Sequence, residues 1–348
     1  MKSLLLGPLA KAFSLAVDAR YWLYKKEILN SRQVSVPVIS VGNITLGGTG
    51  KTPFVDLIVK YLTEKNKNVG LVSRGYGAKE KKRGIIDQNQ KNYGNLASQF
   101  GDEPTMLQWR NPTLHVVVNP NRYRACQELI NKKSVEIIVA DDAFQHLALK
   151  RDLDLVLLDA TESYENFKLL PLGRMREGFS SLERASLVIL NKANLVSLEK
   201  VQNLRDLVFS KCSFLKNEPN RWLEANYEFE GFFHLETDKP WSGSYNEKLL
   251  VLSGIANNQT FFKMCRDKFG KSVYGEMGFS DHYVYSKTDM ALIMIRAKEL
   301  GADRILITEK DAVKISQWKS DIFVYTKLKV SLVGDGRKLY DKIDQIIS

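Results

Sequence analysis

The apolar positions of this chain change period along its length, and those changes mark out its elements. Residues 36–41 form a β-branched run that reads as a buried strand, after which Phe54, Leu57, Ile58, Tyr61 and Leu62 recur at helical spacing. Compact apolar runs at 69–73, 114–118, 135–140, 153–158 and 187–190 predict further strands with helical patterns between them. Such alternation implies an α/β fold with a mostly parallel sheet and helices on both faces. Between about 222 and 248 the texture turns to short alternating segments such as 227–235, which read as a β-ribbon connection. A second alternation follows, with strands at 249–253, 273–278, 304–308 and 322–325 and a helix over 289–300. The expected organisation is an N-terminal helix in 1–30, a larger domain in 31–225, a ribbon in 226–247 and a smaller α/β domain in 248–348.

Residues 1–30 mix apolar clusters (Leu4, Leu5, Leu6 and Leu9; Phe13, Leu15 and Val17; Tyr21 to Tyr24) with Lys2, Lys11, Arg20, Lys25 and Lys26. No apolar run reaches the length of a spanning helix, and no small-residue cleavage site follows a compact apolar core. An interfacial helix with aromatic and basic anchors fits this pattern; a core-packed helix with solvated lysines fits it as well.

The 348 residues suffice for two domains, and three scattered cysteines indicate neither a disulfide framework nor a zinc site. They suit a reducing compartment. A formal charge of +11 points to an anionic partner: nucleic acid, an anionic membrane surface or a phosphorylated substrate. No basic stripe with interleaved aromatics supports nucleic acid, and the basic cluster 79–83 reads as a solvated loop.

Between the first strand and the first helix lies Thr45-Leu46-Gly47-Gly48-Thr49-Gly50-Lys51-Thr52. Glycines there let backbone N–H groups turn on an anion, Lys51 suits the β/γ-phosphates, and the Thr52 hydroxyl suits Mg²⁺. The order strand, loop, helix marks a P-loop, although Thr45 stands where the usual pattern has glycine. Asp141-Asp142, at the end of the apolar run 135–140 with Gln145 and His146 just beyond, fits a second oxygen source for the ion, and also a turn cap. Asp102, in Gly101-Asp102-Glu103-Pro104, fits the acidic first turn of a helix, and equally a carboxylate that takes a proton from an attacking hydroxyl. Positive charge for a transferring phosphoryl group is available from Lys51, Arg74, Arg122 and Arg176. Asn191-Lys192-Ala193-Asn194 superficially matches a guanine-reading motif, but its final Asn cannot accept the paired guanine N–H bonds, and a left-handed turn explains it as well.

Taken together, these residues resemble the tetraacyldisaccharide 4′-kinase (lipid A 4′-kinase) family over nearly the whole length. The resemblance rests on Val41-Gly42-Asn43 leading into Gly47 to Pro53, on Ser73 to Gly77, on Gly101 to Pro104 and on Asp141 to His146. It continues through Leu170 to Glu177, Gly254 to Asn257, Phe279 to His282 and Thr308 to Ala312. It accommodates Thr45, because this family does not keep the first glycine; Tyr283 departs from it, where many relatives carry a second histidine. The resemblance implies ATP and Mg²⁺ as cofactors, and transfer of the γ-phosphate to the 4′-hydroxyl of a membrane-embedded tetraacylated glucosamine disaccharide 1-phosphate. It implies a place on the anionic cytoplasmic face of the bacterial inner membrane, with no nucleic-acid partner and no obligate protein partner.

It further implies that Asp102 and His282 form a base dyad, that Lys51 and Thr52 serve phosphate and Mg²⁺, and that Asp141, Asp142 and Glu177 form the metal site. Arg74, Tyr76, Arg122, Gln145, His146 and Arg176 would lie near nucleotide or acceptor. Without the resemblance, a regulatory or assembly NTPase whose N-terminal helix docks a membrane partner is the competing reading.

Overall fold

The computed structural model describes residues 2–90, 92–243, 246–318 and 320–348. The side chains of Leu4 and Leu5, and Ser244 and Tyr245 of the expected ribbon, lie outside the described residues. In chain order the elements are α1 (Lys2–Lys25), β1 (Val38–Asn43), α2 (Lys51–Glu64), β2 (Val69–Ser73), β3 (Gly84–Ile85), α3 (Tyr93–Phe100) and α4 (Asp102–Arg110). Next come β4 (His115–Val118), α5 (Arg122–Lys133), β5 (Ile137–Asp141), β6 (Leu153–Asp159), β7 (Leu187–Asn191), α6 (Leu198–Lys211) and α7 (Ser213–Asn217). The remainder are β8 (Trp222–His234), β9 (Leu249–Ser253), α8 (Asn258–Phe269), β10 (Val273–Gly278), α9 (Lys287–Leu300), β11 (Arg304–Thr308), α10 (Glu309–Lys314), β12 (Phe323–Val333) and α11 (Arg337–Ile347).

Strand starts lie within two residues of those read from the apolar runs. The first begins at Val38, after Pro37, which has no N–H to give a ladder. The last runs on to Val333, well past the 322–325 that its apolar run suggested.

The chain divides into two compact units: Met1–Arg74, Leu114–Tyr227 and Val330–Ser348 form the first, and Gly75–Thr113 and Glu228–Lys329 the second. In the first, the strand order is β8-β7-β6-β1-β5-β2-β4 and every neighbouring pair is parallel. β1, β2, β5, β6 and β7 are buried along their whole lengths, which is why they read as unbroken apolar runs. The connections β1 to β2 and β4 to β5 run in opposite directions along the sheet. Right-handed crossovers therefore place α2 and α5 on opposite faces.

Strand order reverses about β1, which pairs with β5 on one side and β6 on the other. Such a reversal opens a crevice beyond the strand ends. The pairing of Val41 with Asp141 sets the loop after β1 beside the turn after β5. Beneath the loop, α2 buries Phe54, Val55, Ile58, Val59 and Leu62 completely. Truncating Phe54 to alanine would cost about 3–5 kcal/mol.

The second unit carries the parallel order β10-β9-β11-β12. Alternate residues serve its two faces: Leu250, Leu252, Ile305 and Ile307 pack with Met290, Ile293 and Ala297 of α9. Leu249, Val251, Leu306 and Val324 pack with Phe261, Phe262 and Phe269 of α8. The end of β8 folds back antiparallel, with His234 N donating to the Lys239 carbonyl at 2.9 Å and Trp241 N to the Phe232 carbonyl at 2.8 Å. Arg110, at the end of α4, forks onto Glu309 of α10 at 2.7 Å, with both side chains almost fully buried. That pair fixes the helix that carries Asp102.

Candidate active site

The loop after β1 turns on Gly47 and Gly50, whose φ values of 114° and 80° suit glycine. Thr45 is 1 % exposed and bridges antiparallel to Met175. On either side, Leu46 N donates to the Arg174 carbonyl and Arg176 N to the Ile44 carbonyl, both at 2.7 Å. An extended bridge position needs no positive φ, so the missing first glycine has a local explanation.

Several loop carbonyls are clamped from behind. Asn191 Nδ2 donates to the Thr49 carbonyl at 2.9 Å, Lys192 Nζ to that of Gly48 at 2.8 Å, and Asn43 Nδ2 to that of Thr45 at 2.8 Å. A Cβ on Gly50 would meet Asn191 Nδ2 at 2.4 Å, so glycine is what lets the clamp close. Because a trans peptide sets N–H opposite C=O, the Gly50 N–H faces away from Asn191. It joins the first N–H groups of α2, which no side chain caps. This is the donor array that a phosphate takes.

Lys192 itself is 4 % exposed and paired with Asp159 at 2.5 Å. The segment read as a near-miss guanine motif is thus a loop clamp on a left-handed turn, with Lys192 φ at 63°. Asn194 is committed elsewhere, accepting from Tyr227 N at 2.8 Å and donating to its carbonyl at 3.1 Å. Sequence reasoning missed these roles, and missed Asp159 altogether; the one available signal was an acidic residue at the end of the apolar run 153–158.

Beside the loop, Asp141 accepts from Ser73 Oγ at 3.3 Å, and its carbonyl accepts from Arg122 Nη2 at 3.1 Å. Asp142 sits in a left-handed turn 3.5 Å from Lys51 Nζ and 2.9 Å from Arg176 Nη1. Burial opposes its ionisation, yet Lys51, Arg176 and Arg122 together hold its carboxyl below the ordinary aspartate range. Gln145 spans the site, donating to the Asn43 carbonyl at 2.8 Å and accepting from Arg176 at 3.3 Å. His146 is pushed down to about 4, first by burial and then by the surrounding arginines, which leaves a neutral imidazole at physiological pH. Arg74 follows β2 and is exposed.

Glu177 is buried, and its Oε2 accepts from Arg184 Nη2 at 2.6 Å. Among the described residues no three Asp, Glu, His or Cys side chains converge into a metal site. Hard oxygen donors at Thr52 and the paired aspartates nonetheless suit Mg²⁺, which commonly takes one or two carboxylates together with phosphate oxygens and water.

In the second unit, Asp102 opens α4 after Gly101 and is 3 % exposed. Its Oδ2 lies 3.1 Å from His282 Nδ1. His282 holds a φ of 57°, uncommon for a residue with a side chain. The imidazole lies so close to Gly77 that a Cβ there would meet Nδ1 at 2.2 Å. Tyr76 meets the same ring edge-on at 5.2 Å. Lys314 Nζ and Lys310 Nζ stand 3.7 and 3.9 Å from Asp102 Oδ2. Burial works to raise the Asp102 carboxyl, but His282 and the two lysines outweigh it and hold it low.

Those lysines are themselves placed by acidic partners: Lys310 by Asp281 and Glu103 at 3.2 and 3.3 Å, and Lys314 by Asp311 at 2.9 Å. Asp311 also accepts from Tyr285 OH at 3.0 Å, tying α10 to the His282 loop. The predicted residues therefore assemble as two groups. Lys51, Thr52, Arg74, Arg122, Asp141, Asp142, Gln145, His146, Arg176 and Glu177 belong to the first unit, and Tyr76, Asp102 and His282 to the second.

Residues 2–348 match the family LpxK, tetraacyldisaccharide-1-P 4′-kinase. A tetraacyldisaccharide 4′-kinase from Bdellovibrio bacteriovorus is 33 % identical over 346 residues, covering 98 % of both chains. One from Halothermothrix orenii is 30 % identical, covering 98 % of this chain and 90 % of the relative. Among solved structures, LpxK from Aquifex aeolicus in complex with ATP superposes with a TM-score of 0.77 at 29 % identity, over the full length of both.

Proposed function

The chain belongs to the tetraacyldisaccharide 4′-kinase family, and on that premise we propose that it transfers the γ-phosphate of ATP to the 4′-hydroxyl of a tetraacylated glucosamine disaccharide 1-phosphate. The observation that carries the reading beyond nucleotide binding is the buried Asp102–His282 pair. A phosphate loop alone serves nucleotide binding; a buried carboxylate–imidazole pair adds a group that takes or steers the proton of an attacking hydroxyl.

In this scheme the N–H groups of Gly50, Lys51 and Thr52 seat the phosphates, and Lys51 and Arg176 face the transferring phosphoryl oxygens. The Thr52 hydroxyl and Asp141 or Asp142 would hold Mg²⁺, which when bound would neutralise phosphate charge. As the new oxygen–phosphorus bond forms and the bond to the ADP oxygen breaks, Asp102 takes the hydroxyl proton. His282 orients that carboxylate. Arg122 holds the end of β5 from behind, while Arg74, Tyr76, Gln145 and His146 flank nucleotide or acceptor. Glu177, paired with Arg184, is the third proposed carboxylate for the ion. Transfer needs a phosphate-binding loop and a proton acceptor, and each of the two groups of residues offers one of these.

The acceptor is a membrane lipid, and α1 is the proposed anchor to the cytoplasmic face of the inner membrane. It exposes Leu9, Leu15 and Trp22 beside Lys11 and Arg20, as an interfacial helix does. No helix among the described residues is long and apolar enough to cross a membrane. The test is incubation with γ-labelled ATP and the lipid disaccharide 1-phosphate. Label is expected in the lipid; release of phosphate to water without lipid labelling would overturn the reading in favour of an NTPase.

A further inference from the structure

Asp311 of α10 is completely buried within the second unit, and both of its carboxylate oxygens are engaged. Oδ2 accepts from Gly254 N at 3.0 Å and from Thr308 Oγ1 at 2.6 Å, while Oδ1 accepts from Tyr285 OH at 3.0 Å and pairs with Lys314 Nζ at 2.9 Å. Resting on the kinase reading above, we propose that Asp311 is a positioning residue for the transfer: it holds the Lys314 ammonium just off Asp102, so that Asp102 stays ionised and free to take the acceptor proton.

Lys314 Nζ lies 2.9 Å from Asp311 but 3.7 Å from Asp102 Oδ2. Lys310 Nζ follows the same pattern, 3.2 Å from Asp281 and 3.3 Å from Glu103 but 3.9 Å from Asp102 Oδ2. Both ammonium groups stop short of the ~3.2 Å reach of an N–H···O bond. His282 Nδ1, at 3.1 Å, is within it. A cation at that separation favours the carboxylate through its field; closer in, it would claim the lone pair that a hydroxyl proton must reach, and weaken the base. Burial opposes the ionisation of Asp102, and His282, Lys310 and Lys314 together outweigh it. Behind these three stand Glu103, Asp281 and Asp311, with Tyr285 on Asp311, Tyr76 on His282, and Lys79 lining the adjoining cavity.

The fold makes room for this tether. Gly254 follows β9 and Thr308 ends β11, so the Asp311 carboxylate bridges the ends of two paired strands. A Cβ on Gly254 would meet Asp311 Oδ1 and Tyr285 OH, each at 2.9 Å. Lys314 Nζ also donates to the Gly254 carbonyl at 3.3 Å and lies 5.5 Å from the centre of the Tyr285 ring, which fixes the ammonium further. Thr308 caps α10 by accepting from Asp311 N at 3.1 Å. Capping alone is served by a neutral amide. Asparagine at 311 keeps an oxygen for Gly254 N and Thr308 Oγ1, and its NH₂ donates to the Tyr285 hydroxyl. Only the lysine loses its partner.

The experiment compares wild type, Asp311→Asn, Lys314→Met and the double variant in two readouts: kcat for lipid labelling against pH, and a carbon-13 NMR titration of the Asp102 carboxyl, assigned with Asp102→Asn. In Asp311→Asn a negative charge is lost and the released ammonium closes on Asp102, so the carboxyl titration and the acid limb of kcat should both move down by about one pH unit. The plateau kcat should fall about tenfold. Lys314→Met should move both readouts up, and the double variant should move the same way, because no ammonium is left to hold. A purely structural role would lower melting temperatures without these opposite shifts. An Asp102 titration that stays put or moves up in Asp311→Asn overturns the proposal, and so does a wild-type plateau kcat in that variant. If wild type labels no lipid, the kinase reading fails and the carboxyl titration alone decides: an unmoved Asp102 in Asp311→Asn overturns the tether.

Discussion

Replacing Lys192 by methionine removes a charge from a side chain 4 % exposed, paired with Asp159 at 2.5 Å and donating to the Gly48 carbonyl at 2.8 Å. Two losses follow, and they can be separated. Asp159 is left as a carboxylate 9 % exposed, with Thr161 N and Oγ1 donating to it at 2.8 and 2.6 Å. Stranding one partner of a buried pair costs about 3–5 kcal/mol, and the Thr161 donors place this case near 3. The Gly48 carbonyl meanwhile loses a charge-assisted hydrogen bond of about 1.5–3 kcal/mol that orders the phosphate loop.

The double variant Lys192→Met/Asp159→Asn removes both charges, so it should recover most of the stability without restoring the loop contact. Urea unfolding followed by tryptophan fluorescence should show a loss of about 5 kcal/mol in the single variant and about 2 kcal/mol in the double. Calorimetric titration should show ATP binding weakened about tenfold in both, corresponding to ~1.4 kcal/mol. Wild-type ATP affinity in a folded double variant would refute the clamp, because the loop would then be ordered without Lys192.

Asp102→Asn should leave ATP affinity near wild type while lowering kcat by about 10²–10⁴-fold; turnover at the wild-type rate would remove Asp102 from the chemistry. Lys310→Met takes away one of the charges that keep the Asp102 carboxyl low, so the acid limb of the kcat profile should move to higher pH. Because the folded value is depressed, the stability that Asp102 contributes is present above its unfolded pKa of about 3.9 and is lost as pH falls through the folded value. The acid-unfolding midpoint should therefore also rise in that variant, and superposable profiles would count against the lysines. Gly77→Ala combines a φ of 79° with a Cβ 2.2 Å from His282 Nδ1. It should cost more than about 1 kcal/mol of stability and lower kcat at unchanged ATP affinity, which steady-state kinetics and thermal melts would check.

The strands were legible because β1, β5 and β6 are buried on both faces and so carry unbroken apolar runs. The loop was legible because its glycines and Lys51 are required by type. Asn191 and Lys192 were visible as residues but not in their role, because their targets are backbone carbonyls, which leave no mark on sequence. Asp102 and His282 lie 180 positions apart, and only family resemblance linked them. The packing of Gly75–Thr113 with Glu228–Lys329 likewise has no local periodic signature. Glu177 was legible by residue type alone, and its 2.6 Å pairing with Arg184 was not, because the partner lies on a separate turn of chain.

The central claim concerns which oxygen becomes phosphorylated, and phosphorus NMR of the lipid product formed with ATP reads it directly. The account predicts a second phosphomonoester signal coupled to the proton at the 4′ carbon, with the original 1-phosphate unchanged. A pyrophosphate at position 1, or inorganic phosphate as the sole new signal, would contradict it.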